Sequence, residues 1–144
     1  MIYVASDHAG WHLKNKIVQW LEAGKYSVED LGSKDLVKGD DYPDYVQILC
    51  EKMLLNGGTK GILICDTGIG MSIAANRYSG IRAALCVSEF MARRSRQHNN
   101  ANVLVLGAEL NSFDELERIM NAFLTTEFSD EERHIRRLNK IDEK

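Results

Sequence analysis

The sequence predicts an α/β fold: one domain over residues 1–144, built as a doubly wound, Rossmann-like five-stranded parallel sheet with helices on both faces and a C-terminal helix beyond it. Three observations predict it. Short apolar runs alternate with segments of helical periodicity through the whole chain. The run Gly61 to Cys65 is apolar almost throughout, as in a strand covered on both faces. Turn residues punctuate every change of period, and the resulting strand–helix alternation is that of right-handed crossovers, each laying its helix on a sheet face.

Ile2 to Ser6 is the first strand, and after Asp7-His8-Ala9-Gly10 the apolar spacing becomes helical through Leu13, Ile17, Val18 and Leu21. Gly24 closes that helix, Tyr26 to Leu31 reads as the second strand, and Gly32 to Asp41 is a polar loop. Pro43 starts a helix marked by Val46, Leu49, Cys50 and Met53, which runs to Gly57-Gly58 ahead of the third strand. Thr67-Gly68-Ile69-Gly70 leads into a helix over Met71 to Arg77, stopped by Ser79-Gly80, and Ile81 to Val87 is the fourth strand. Ser88 caps a helix that ends near His98-Asn99-Asn100; Val103 to Leu106 is the fifth strand, turning at Gly107. A helix follows over Phe113 to Phe123. Ser129 is the expected cap of a charged helix, Asp130 to Asp142, whose sparse apolar residues Ile135, Leu138 and Ile141 suit packing against another body such as a second subunit.

Composition narrows the functions available. The chain is 44% hydrophobic and 27% charged, which is ordinary for a folded domain and argues against disorder. A net charge of −3 offers no electrostatic footprint for nucleic acid. No apolar run approaches the roughly 20 residues of a membrane span, and Asp7 and His8 interrupt the first one, so no membrane partner and no secretory leader are expected and the protein is placed in the cytoplasm. Cys50, Cys65 and Cys86 are odd in number and lack CxxC spacing, which argues against disulfides and a zinc knuckle.

In open sheets of this kind ligands bind beyond the carboxyl ends of the strands. There the chain places Asp7-His8, Cys65-Asp66-Thr67 and Gly107-Ala108-Glu109. The segment CDTGIGMS, residues 65–72, sets a thiol before a glycine-rich turn whose amides can hold a phosphate or an oxyanion and can lower a thiol's pKa. Cys65 is therefore either a base or nucleophile or a buried inert thiol. His98, at what reads as the site edge, is either an acid–base group or a helix C-cap; His8 is either oriented by Asp7 or part of a local turn. Arg133 and Arg137 share a helical face at i, i+4, suited to a phosphate or else paired to nearby acids. The stretch DDYPDY, residues 40–45, either caps a helix or closes over the site.

Taken in order, SDHAG (6–10), DYPDY (41–45), ILICDTGIGMSIAANR (62–77), GIRAAL (80–85), SRQHNNANVLVLGA (95–108) and RHIRR (133–137) resemble the type B ribose-5-phosphate isomerases, of the ribose/galactose sugar-phosphate isomerase family. The resemblance implies an aldose–ketose isomerase of the pentose phosphate pathway that interconverts ribose 5-phosphate and ribulose 5-phosphate through an enediolate. It implies no metal and no cofactor, and a homodimer, able to pair into a dimer of dimers, with residues of both subunits in each site. Cys65 then matches the base, His98 the ring-opening acid, and Asp7, His8 and Asn99 the sugar contacts. Asp66, Thr67, Gly68, Ile69 and Gly70 match the loop that holds the enediolate oxygen, and Arg133 and Arg137 the phosphate site. Two positions depart from the family pattern: Asp66 stands where glycine is usual, and should oppose ionisation of Cys65, and Glu109 stands where an arginine is common. These departures leave another sugar phosphate, a tetrose or a hexose of the galactose 6-phosphate type, as the alternative substrate. A phospho-acceptor signalling domain is a rival of another class, with Asp7 and Asp66 as its acidic groups, although it would want a lysine where Glu109 stands.

Overall fold

The protein is described here by a computed structural model covering residues 1–143. Among these residues five parallel strands form one sheet in the order β2-β1-β3-β5-β4. The strands are β1 (Ile2–Ser6), β2 (Val28–Asp30), β3 (Lys60–Cys65), β4 (Ala83–Leu85) and β5 (Val103–Gly107). The helices are α1 (Trp11–Ala23), α2 (Tyr42–Leu55), α3 (Ile69–Ala75), α4 (Glu89–Asn99), α5 (Phe113–Thr125) and α6 (Glu132–Asp142).

The period-2 geometry of the central strands divides the core in two. Even-numbered residues Val4, Ile62, Ile64, Leu104 and Leu106 pack with Ile17 and Leu21 of α1, Ala92 of α4 and Leu116, Ile119 and Phe123 of α5. Odd-numbered Tyr3, Ala5, Leu63, Cys65, Val103 and Val105 face Leu49, Cys50 and Met53 of α2 and Met71 and Ala75 of α3. Both layers exclude water, and that is why the central strands carry no polar alternation.

The two edge strands are shorter than the sequence predicts. On one edge Lys25 takes φ 59° and the Tyr26 amide donates back to Leu21, so the chain reaches β1 only at Ser27, whose carbonyl accepts the Ile2 amide. On the other, the amides of Arg82 and Ala83 donate to the side chains of Asn102 and Asn76, which delays the β4 ladder until Ala83. Helix α3 starts two residues early, at Ile69, because Gly68 already accepts the Ser72 amide. Ser88 does cap α4, accepting from Met91, and Ser112 and Glu115 form a reciprocal capping box on α5. Ser129 does not cap α6. Its amide donates to Gln97, Asp130 turns through φ 52°, and the helix begins after Glu131. That helix lies on α4 through His134 and Leu138, leaving Ile135 and Ile141 exposed.

The last turn of α4 is held at Asn100, in the left-handed conformation at φ 43°, with its side chain accepting from Arg96 at 3.0 Å. An alanine there keeps the strained backbone and loses the acceptor. Asn100→Ala should therefore lower the unfolding free energy by about 1–2 kcal/mol, read from urea denaturation at neutral pH.

Candidate active site

Crossovers from β1 and β3 leave the sheet in opposite directions, β1 toward β2 and β3 over β5 toward β4. A topological switch point therefore falls between their carboxyl ends. Cys65 ends β3 there, 7% exposed, and its Sγ accepts the Gly68 amide at 3.1 Å. The amides of Thr67 and Met71 also point to it. This wrap around the sulfur requires Gly68 at φ 81°, and Gly70 lets the ring of Tyr42 sit where a side chain would otherwise be: a Cβ at 70 would lie 2.7 Å from the Tyr42 Cζ. The DDYPDY stretch thus does lie over this turn. Asp41 occupies the N-cap position of α2 without a side-chain capping bond.

The sequence sets turn amides against the Asp66 carboxylate at Cys65, and in the structure burial, which spacing does not show, decides the shift. Burial raises the thiol pKa above its ordinary value; the Gly68, Met71 and Thr67 amides oppose this, and the Asp7 carboxylate adds to it. Asp66 is not the opposing carboxylate. It lies exposed beyond the strand end, with its carbonyl accepting from Glu109. Asp7 is itself 7% exposed, and burial raises its pKa despite the Gly10 amide at 3.1 Å and the neighbouring His8.

His8 is oriented by Asp40, the first residue of the DDYPDY stretch, rather than by Asp7. The Asp40 Oδ1 accepts the His8 amide at 2.9 Å and meets Nδ1 at 2.6 Å. Burial pushes the Asp40 carboxyl up, but bonds from the His8 amide and ring and from the Tyr45 hydroxyl outweigh it, and its pKa lies below the ordinary value. An ionised carboxylate can only accept, so His8 carries its proton on Nδ1 and leaves Nε2 free. Asp7, His8, Cys65 and the turn through Gly70 therefore form one group, joined by Asp40, Tyr42 and Tyr45.

His98, Asn99, Arg133 and Arg137 form a second group elsewhere. Helix α4 runs back against the strands, so its carboxyl end lies at the amino-terminal rim of β5, where the Ala101 amide donates to Ser95 and the Asn102 carbonyl accepts from Gly61. Within one chain His98 is thus not at the edge of the Cys65 crevice but at the opposite rim. There its ring stacks on His134 of α6, centroids 4.3 Å apart, and its Nε2 lies 3.2 Å from Arg94 Nη1. Arg94 can only donate, which leaves the proton of neutral His98 on Nδ1. His134 is 5% exposed, its Nε2 has no partner among the described residues, and its pKa is lowered by burial and by His98, Arg133 and Arg137. Arg133 is tied to Glu131 at 2.8 Å, and Asn99 lines a cleft with Leu138 and Ile141. Glu109 stands with His12, Lys16 and Asn111 around a separate cleft of about 280 Å³ beside α1.

A thiol ringed by amides, beside a carboxylate-held imidazole at the switch point of a doubly wound sheet, defines a class of α/β enzyme that moves protons on a bound polar substrate. The sheet order separates it from phospho-acceptor receivers, which run 2-1-3-4-5. The chain belongs to the ribose/galactose isomerase family, whose model matches residues 2–141. The ribose 5-phosphate isomerase of Thermotoga maritima is 48% identical, with a TM-score of 0.95 over 99% of this chain and 97% of that one. Ribose-5-phosphate isomerase B of Mycoplasma genitalium, solved with bound ribulose 5-phosphate, is 42% identical, with a TM-score of 0.94 over 99% and 93%. Ribose-5-phosphate isomerase B of Mycobacterium leprae is 34% identical over 142 residues, 99% of this chain and 88% of the relative. Among the described residues no helix is long and apolar enough to cross a membrane, and no three His, Cys, Asp or Glu side chains are grouped to hold a metal.

Burial holds the Cys50 thiol up at about 12 and the Cys86 thiol at about 11, so Cys65 should be the first to react with iodoacetamide. Its alkylation rate should climb tenfold per pH unit through neutrality. Asp7→Asn should accelerate it at pH 8 and Asp66→Asn should leave it unchanged, as followed by mass spectrometry.

Proposed function

We propose that the protein interconverts ribose 5-phosphate and ribulose 5-phosphate through an enediolate, in the cytoplasm, as a homodimer whose two sites each draw on both copies. The observation that carries this reading is the Cys65 sulfur among the amides of Gly68, Thr67 and Met71, in a family of sugar isomerases. A base at that sulfur and amide donors beside it match a reaction in which negative charge develops on an oxygen next to the carbon losing its proton.

In this scheme His98 of the partner subunit protonates the ring oxygen as the C1–O4 bond breaks, and the anomeric hydroxyl gives its own proton to water, leaving the open aldehyde. Cys65, as thiolate, removes the proton from C2, and the electron pair forms the C1–C2 double bond while charge moves onto O1. Turn amides between Asp66 and Gly70 hold that oxygen. Return of the proton from the thiol to C1, with the remaining hydroxyl proton passing from O2 to O1, yields the ketose. Asp7 and His8 contact the sugar hydroxyls, as does Asn99 of the second copy. Arg133 and Arg137, also from the second copy, bind the phosphate with charge-assisted bonds. Pairing of two copies is supported by the division of the candidate residues into two groups at opposite rims of one sheet. Neither group alone contains both a base and a phosphate anchor.

Cys65→Ala should lower kcat for ribose 5-phosphate by about 10²–10⁴-fold in a coupled assay, the usual contribution of a positioned base. Because the free thiol's pKa is raised, the thiolate fraction is small at neutrality, and kcat/KM should rise with pH and fall tenfold for each unit below neutrality. A clear preference for a tetrose or hexose phosphate over ribose 5-phosphate would move the substrate assignment to the alternative that Glu109 suggests. Mixing inactive Cys65→Ala and His98→Ala proteins, with subunit exchange, should restore about a quarter of the wild-type sites in a two-fold dimer. No recovery after confirmed exchange would place base and acid in one subunit and sink the shared-site reading.

A further inference from the structure

Lys14, on α1, is 1% exposed, a charged residue among the largest wholly buried side chains described, and it belongs to neither group of candidate residues. Its ammonium pairs with Asp30 at the end of β2 and donates to the Ser33 carbonyl at 3.3 Å. That same carbonyl takes the Trp11 indole N–H at 3.2 Å. Asp30 turns its other oxygen to the Gly32 amide at 2.9 Å, and a Cβ on Gly32 would lie 2.9 Å from the Lys14 Cδ, so the chain after β2 rests directly on the lysine stem. The Ser33 hydroxyl then folds the loop on itself through Asp35 and interacts with Tyr45. Seven residues further on, Asp40 grips the amide and the ring of His8.

These contacts close a circuit: α1 to Lys14, Lys14 to Asp30 and Ser33, the loop to Asp40, Asp40 to His8, and His8 back into the start of α1. A long polar loop has no core of its own to fix it, and a buried ion pair specifies geometry more surely than it adds stability. We propose that Lys14 is a positioning residue of the active site: by clamping loop 31–41 to α1 it keeps Asp40 on His8 and so holds the imidazole as the Nδ1–H tautomer, with Nε2 presented to the sugar. The assignment rests on the isomerase reading for its effect on turnover, and on the geometry alone for its effect on the ring.

Two readouts test it on the full-length protein. Long-range proton–nitrogen NMR of the free protein, with the His8 signals assigned by their loss in His8→Gln, should show one tautomer in the wild type and a mixture in Lys14→Met, which keeps the side-chain volume but not the charge. In the kinetic cycle, Lys14→Met should lower kcat by up to about 10²-fold with a smaller change in KM, as expected for a misplaced catalytic group. The double variant with Asp40→Asn should be no slower than Asp40→Asn alone. A folded Lys14→Met with an unmixed His8 tautomer, or losses that multiply in the double variant, would overturn the proposal. If Lys14→Met does not fold, Asp30→Asn takes its place with the same two expectations, because Asp30 is partly exposed and its amide keeps the loop bond. A wild type inert toward ribose 5-phosphate would defeat the isomerase reading, while the tautomer comparison would still decide the clamp.

Discussion

All five strands run the same way, and the two central ones send their crossovers in opposite directions; the rest of the site depends on that constraint. Because β1 and β3 are neighbours with helices leaving to either side, the main-chain groups just beyond Ser6 and Cys65 are left without a covering element. Polar side chains there stay near water while their backbones remain fixed by the ladder. The even–odd division of the core follows from the same arrangement. It puts the Cys65 side chain on the α2–α3 face, below the turn that wraps it, and directs the candidate chemistry to one side of the sheet.

Inside the crevice, burial and hydrogen bonding act on neighbouring groups with different outcomes. At Asp40, three bonds to the charged form outweigh burial and the carboxylate persists, which fixes His8. At Asp7 and Cys65, burial wins and both hold their protons more tightly than they would in water. Two adjacent acids thus resist ionisation beside one that favours it. Sequence gives the identities of these groups, but their order of acidity depends on how deeply each is covered.

The fold was legible from local pattern: every strand and helix lies where the periodicity puts it, and the disagreements fall at edges. Side-chain carboxamides from Asn76 and Asn102 decide where β4 begins, and no period records a contact of that kind. Cys65 and its glycine turn were legible because a wholly apolar strand stopping at a thiol is an unusual local signal. Asp40 entered only as part of DDYPDY, and its bond to His8 was not legible, since it spans 32 residues and arises from a loop without periodicity. His134 was passed over inside a basic cluster, where its stacking on His98 leaves no trace in spacing. The misplacement of His98 was different, because the direction of α4 follows from the parallel sheet, and topology already put its last turn at the far rim.

The depth at which Cys65 lies also bears on its chemical survival. Peroxides attack thiolates, and a thiol held protonated and nearly covered is a slow target for conversion to sulfenic and then sulfinic acid. Cys50 and Cys86 are deeper still, so no second thiol stands ready to resolve an oxidised Cys65 as a disulfide. With both other thiols buried, the raised pKa of Cys65 is what slows its oxidation. In the proposed reaction the sulfur would be open to oxidation mainly while a bound substrate draws it into the ionised state.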